Sequence, residues 1–227
     1  MNKNIDSKPK AFDHNTSWKS RTVAEEYDGR RFTSLGGRLF DKAEKRAIAT
    51  CLDAAEQVLP IRQMIDLACG TGRISEFLSK RGYQLTCGDI SEEMLRVAKA
   101  RLESAGAGNT TFMQLDIYKI DQPDATFDCV SAFRLFQHLT SEQRARALRE
   151  MARISRRFVL VNVMHTSKYY EAVRTLRRVL GRYATRYTSS QVETDQELGY
   201  AGLSVVKSIF TQPGFNGNRV LLLEKTA

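Results

Sequence analysis

The chain is expected to fold as an α/β domain, a doubly wound and mostly parallel sheet with helices on both faces. Three observations predict this. From Ala47 to Val163, short apolar runs alternate with helical periodicities, the order that builds a covered parallel sheet. The stretch Met64–Ile74 joins an apolar run to a small-residue turn with two glycines and then to a helical pattern. Near the C-terminus, Leu203–Phe210 and Arg219–Leu223 flank Asn216-Gly217-Asn218, a turn so short that the two runs can pair only antiparallel.

Composition bounds the answer. With 227 residues, 42% hydrophobic and 27% charged, the chain can bury one substantial core, so a single domain is expected. No apolar run reaches the length of a membrane span, and residues 1–7 lack the apolar core of a secretory signal. A cytoplasmic location is the expectation. Cys51, Cys69, Cys87 and Cys129 form no close C-x-x-C pair, which argues for reduced, mostly buried thiols. Charge is unevenly placed. Between Glu142 and Tyr187, Lys168 and eleven arginines face only Glu142, Glu150 and Glu171, a net +9 that equals the whole chain's formal charge. Such a block suits an anionic partner, or is a solvated helix face.

In chain order, residues 1–16 are polar and aperiodic, a tail. Ser17–Phe40 carries Trp18, Tyr27, Arg30, Arg31 and Phe32. Asp41 with Glu44 resembles a capping box opening a helix whose apolar residues run from Ala47 to Leu59, where Pro60 stops it. Met64–Leu67 is a strand, and Ile74, Phe77 and Leu78 continue a helix after the glycine turn. Gln84–Gly88 is a second strand; Ser91 caps a helix with Leu95, Ala98 and Leu102 on one face. Thr111–Leu115 is a third strand and Phe127–Phe133 a fourth. Thr140 or Ser141 caps the helix through Leu148 and Ala152, and the unbroken apolar run Phe158–Val163 is a strand buried on both faces. Over Ser167–Arg182, Tyr169, Val173, Leu176 and Leu180 make one stripe and Arg174, Arg178 and Arg182 another. That basic helix either docks by its apolar stripe or lies on an anionic or membrane surface.

Asp66-Leu67-Ala68-Cys69-Gly70-Thr71-Gly72, Gly88-Asp89-Ile90-Ser91-Glu92-Glu93-Met94-Leu95, Leu115-Asp116-Ile117 and the run Phe127–Leu139 together resemble the class I S-adenosylmethionine-dependent methyltransferases. The likeness spans about residues 27–227 and is similar to the small-molecule, ubiquinone/menaquinone-methyltransferase-like group. It implies a Rossmann-like, seven-stranded sheet with one antiparallel strand, and S-adenosylmethionine as cofactor with S-adenosylhomocysteine as product. Residues 1–40 would then be a tail and lid, and 41–227 one methyltransferase domain with a basic helical insertion at about 164–202.

The resemblance also implies roles. Asp66, Ala68, Gly70 and Gly72 would shape the loop around the methionyl part and ribose; Asp89 would accept the ribose hydroxyls, as its place some twenty residues past the loop also suggests. Ile90 and Met94 would pack near adenine, Asp116 would accept from the adenine amine, and Ile117 would offer backbone. Phe133 would close the fourth strand against the cofactor, and Trp18, Tyr27 and Arg31 would cover it from the lid. The family usually has glycine where Ala68 stands, which implies that this position does not need positive φ. His138 and His165 each follow a strand end and are the candidate general bases. Arg134 and Gln137 replace the carboxylates with which some relatives hold a metal, so no metal is expected.

The first function expected is methyl transfer to an O or N atom of a small molecule, apolar or anionic, by a monomer or homodimer. RNA methylation through the 142–187 block is the alternative, though no RNA-binding module or aromatic platform accompanies it. A non-catalytic cofactor-binding regulator is the other. Nicotinamide chemistry fits poorly, because the G-x-G-x-x-G spacing fails at Ser75.

Overall fold

The computed structural model describes residues 34–166, 175, 187–211 and 217–226. Trp18, Tyr27, Arg31 and the expected basic helix over Ser167–Arg182 lie outside those residues, except for Thr175. The described elements are α1 (Leu35–Glu56), β1 (Gln63–Leu67), α2 (Arg73–Ser79), β2 (Gln84–Asp89), α3 (Glu92–Ser104), β3 (Thr110–Gln114) and β4 (Phe127–Ala132). A 3-10 turn (Phe136–His138) leads to α4 (Ser141–Ile154), β5 (Ser155–Met164), α5 (Gln191–Tyr200), β6 (Leu203–Phe210) and β7 (Asn218–Lys225).

The sheet has seven strands in the order β3-β2-β1-β4-β5-β7-β6, and only β7 runs against its neighbours. The expected sheet and the expected antiparallel closing pair are both present. Strand order reverses between β1 and β4, which opens a crevice at the carboxyl ends of the strands, where open α/β sheets take ligands.

Alternation along the strands makes two cores. On one face, Ile48, Leu52, Ile74, Leu78 and Leu102 of α1–α3 pack on Met64, Cys129, Leu160 and Leu222. On the other, Leu148, Met151 and Leu198 of α4 and α5 pack on Ile65, Val130, Val161 and Leu221. Cys51, Cys87 and Cys129 are buried free thiols within this packing. Among the described residues no helix is long and apolar enough to cross a membrane.

Local sequence explains the helix starts, with one correction. Ser91 accepts from the Met94 amide, and Thr140 with Gln143 closes a full capping box. The first helix, however, begins at Leu35, capped by Ser34, and runs through the boundary expected at residues 40–41. Asp41 and Glu44 are not its cap. Both lie inside α1 and bind the guanidinium of Arg73, the first residue of α2. That ion pair ties α1 to the turn after β1.

Candidate functional site

The turn between β1 and α2 takes an unusual backbone. Ala68, Gly70 and Gly72 all have positive φ, at 51°, 56° and 76°. The expectation that Ala68 needs no such conformation is therefore corrected. Its Cβ costs about 1–2 kcal/mol in this region, which the surrounding bonds must offset. The Cys69 amide donates to the Gly88 carbonyl at 3.0 Å, and the Gly70 amide to Asp89 Oδ2 at 2.9 Å, so β2 holds the turn from outside. The two glycines serve different ends. A Cβ on Gly72 would come within 2.8 Å of Leu102, so this glycine lets α2 and α3 approach closely, whereas a Cβ on Gly70 would meet only open space.

Asp66 organises the turn from beneath. Its carboxylate is 1% exposed and accepts from Ser75 Oγ at 2.6 Å and Ser131 Oγ at 2.9 Å, linking β1 to α2 and to β4. Burial pushes this carboxyl up to about 6, against the pull of the two hydroxyls, and the nearby Asp89 adds to the rise. Ser75, where the dinucleotide spacing broke, is thus the partner of a buried acid.

Asp89 ends β2. Besides Gly70, it accepts from the Ser91 amide at 2.9 Å and from the Ile90 amide, which leaves the carboxylate one further acceptor position. Burial raises its carboxyl too, while the amides of Ser91, Gly70 and Ile90 oppose that. Ile90 beside it is 37% exposed, an apolar surface at the strand end, and Met94 is buried below. Asp116 follows β3, exposed, with Oδ1 accepting from the Tyr118 amide. Ile117 packs partly against the core, and Phe133 is buried just after β4. The structure thus places Asp66, Ala68, Gly70 and Gly72 at the end of β1 and the turn after it, Asp89 and Ile90 at the end of β2, Phe133 after β4, and Asp116 and Ile117 after β3.

The histidines lie further along the same edge. His138 ends the 3-10 turn after β4, and His165 follows β5, one strand on. The Gln137 amide faces the Arg134 carbonyl at 3.1 Å, so the facing group must be the NH2, and this group also meets His138 Nε2 at 3.1 Å. His138 Nε2 therefore accepts, as a neutral imidazole does. His165 is titrated downward by burial and by Arg219, so it too favours the neutral form.

Arg134 and Asn162 complete the edge. Arg134 has φ 61°, with its amide held by Asn162 Oδ1 and its carbonyl by Gln137. Asn162 in turn donates to Asn218 Oδ1 at 2.8 Å. An asparagine inside the apolar run Phe158–Val163 was the available signal, since a buried amide must find partners. The arginines of the basic block that are described all engage their own chain. Arg144 grips Glu197, Arg153 binds Glu150 and Asp124, Arg156 binds Asp128, and Arg157 binds Glu224. Arg146 and Arg149 lie over Tyr118 and Tyr200.

Residues 64–158 match the family described as a methyltransferase domain. The ubiquinone/menaquinone biosynthesis C-methyltransferase UbiE of Pseudomonas fluorescens is 36% identical over 97 residues, covering 40% of this chain and 37% of that protein. Its counterpart from Vibrio cholerae is 27% identical over 146 residues, covering 62% of this chain and 53% of that one. The chain thus spans about a third to a half of these curated relatives' length. Among solved structures, the magnesium protoporphyrin IX methyltransferase ChlM of Synechocystis PCC 6803 with bound SAH superposes with a TM-score of 0.72 at 20% identity, covering 91% of this chain and all of that one.

Proposed function

We propose that this chain is a class I S-adenosylmethionine-dependent methyltransferase that moves a methyl group from S-adenosylmethionine to an oxygen or nitrogen of a small-molecule acceptor. The observation that carries the reading is the Asp89 carboxylate, bonded to the Gly70 amide across a turn whose Gly70 side opens to free space. A carboxylate with an acceptor position to spare, an exposed apolar residue beside it and a turn open at Gly70 fit a nucleoside with its hydroxyls and ring.

Asp89 would take the ribose hydroxyls, Ile90 one face of the adenine, and Asp116 with Ile117 the adenine edge. Asp66 keeps the turn in shape and supplies negative charge beneath it. When bound, the cofactor supplies a methyl group already activated on a cationic sulfur. What remains for the protein is positioning: holding an acceptor lone pair in line and keeping water out. No metal is required for such a displacement. An attacking oxygen or nitrogen that carries a proton must lose it, and His138 next to β4 is the nearer candidate base, with His165 one strand beyond. As a base His138 would take the proton at Nε2, the nitrogen without a hydrogen, in place of the hydrogen bond from Gln137.

Carbon is a further possible acceptor atom, because the UbiE relatives are named C-methyltransferases. The RNA reading draws less support, because the described arginines of the basic block are engaged within the chain. The test is methyl-labelled S-adenosylmethionine with a cell lysate split into lipid, small-polar, RNA and protein fractions. Label in the lipid or small-polar fraction supports the reading and narrows the acceptor; label confined to RNA or protein overturns it.

A further inference from the structure

The crevice is three strands away from a second polar site that the cofactor does not use. Arg219 is the second residue of β7 and is only 8% exposed. Its register partners are Val163 on β5 and Phe210 on β6, so its side chain leaves the sheet on the face covered by α4 and α5. A buried guanidinium needs an anion, because it cannot shed its proton to escape the cost of burial. Among the described residues, no carboxylate lies within ion-pair distance of it. Its one described hydrogen bond goes from Nη1 to Gln191 Oε1 at 3.0 Å, and Gln191 Nε2 passes on to Asp195 at 2.8 Å. Asp195 therefore acts on Arg219 only through space and through that amide. Arg219 Nε is buried and makes no hydrogen bond.

His165 stands beside it with the same deficit. The antiparallel pairing of β5 and β7 carries the chain past Met164 so that the His165 amide donates to the Gly217 carbonyl at 2.6 Å. Gly217 must be glycine here, since a Cβ would fall 1.8 Å from the His165 carbonyl oxygen. His165 Nδ1 is buried and makes no hydrogen bond. Both groups rest on one ring: Arg219 lies 5.5 Å over Phe210, and His165 meets it edge-on at 6.4 Å between centroids. A buried guanidinium N–H and a buried ring nitrogen, neither with a hydrogen bond, thus share an aromatic floor at the carboxyl edge of the sheet.

We propose that Arg219 Nε and His165 Nδ1 form an anion subsite that binds a carboxylate or phosphate group of the acceptor. The proposal rests on the methyltransferase reading for what brings the ligand there, and it deepens that reading by assigning the acceptor's charge. Arg219 provides the charge, and His165, whose ring also bonds the Ser189 backbone, donates from Nδ1 as the imidazolium that a bound anion favours. His165 is then a binding residue, which leaves His138 as the candidate base. Adjacent strands lie about 4.8 Å apart, so an anion held here sits roughly 10–15 Å from the turn after β1. The acceptor would be a molecule long enough to place its charged end that far from the methylated atom.

The test is calorimetric titration of the full chain with inorganic phosphate and, separately, with benzoate, alongside S-adenosylhomocysteine as a control. The expected result is saturable binding of at least one anion, weakened tenfold or more in Arg219→Met, with S-adenosylhomocysteine affinity unchanged. Absence of saturable anion binding, or equal anion affinity in wild type and Arg219→Met, overturns the subsite. Which anion binds separates phosphate acceptors from carboxylate ones. Should Arg219→Met fail to fold, the wild-type protein decides by nitrogen NMR. The Nδ1 resonance of His165, assigned with His165→Gln, must move on titration with the anion, and a resonance that stays in place refutes the contact. Failure of S-adenosylhomocysteine to bind wild type would instead count against the cofactor reading, whatever the anion does.

Discussion

Replacing Asp66 by asparagine tests the burial argument quantitatively. The carboxyl is 1% exposed and sits near 6 instead of its ordinary 3.8, a rise of about two units. At about 1.36 kcal/mol per unit, ionised Asp66 costs the folded state about 3 kcal/mol relative to its protonated form. The sign follows from the direction. A carboxyl raised on folding binds its proton more tightly in the native state, so its contribution is intact below pH 3.8 and is lost as pH rises through about 6. Integrating between the two values, about 1 kcal/mol is already lost at pH 4.5, and about 2 kcal/mol more goes by pH 7. Asparagine is isosteric and does not titrate. Ser75 and Ser131 can each turn to donate to its oxygen or accept from its amide, so the packing survives. Urea unfolding of both proteins from pH 4.5 to 7 should therefore show Asp66→Asn gaining about 2 kcal/mol on wild type across that range. The same variant should bind a cationic cofactor more weakly, since the charge beneath the turn is gone. A stability difference that is flat with pH would refute the reasoning, because it would place Asp66 in the ordinary carboxyl range despite its burial.

Two further outcomes follow from packing and backbone. Ala68→Gly should raise stability by about 1 kcal/mol in thermal or urea unfolding, since it relieves a Cβ at φ 51° at the cost of extra freedom in the unfolded chain. Arg144→Met should cost about 3–5 kcal/mol by leaving Glu197 charged and unpaired in the core, and adding Glu197→Leu should recover most of that loss.

Much of this fold was legible because its signals are local. The alternation of apolar runs and helical stripes marked the strands from Met64 to Val163, and Asn216-Gly217-Asn218 announced that β6 and β7 oppose each other. The glycine turn and the acids at the ends of β1, β2 and β3 marked the crevice for the same reason, each being a short pattern at a strand end. What escaped depends on contacts distant in sequence. Asp41 and Glu44 have the spacing of a cap, but Arg73, some thirty residues on, recruits both side chains inside α1. The positive φ of Ala68 is imposed by bonds from Gly88 and Asp89 to the next two residues, which outweigh alanine's own preference. Arg134 is held by Asn162, and the His165–Arg219 pair joins residues over fifty positions apart. Those become neighbours only once β7 is known to return beside β5.

The central claim is that the crevice beside Asp89 holds S-adenosylmethionine, and calorimetric titration of S-adenosylhomocysteine into wild type and Asp89→Ala tests it most directly. The account predicts saturable binding to wild type and a loss of about 1–3 kcal/mol in the variant, roughly 5- to 150-fold in affinity. No binding to wild type, or equal affinity in the two proteins, would contradict it.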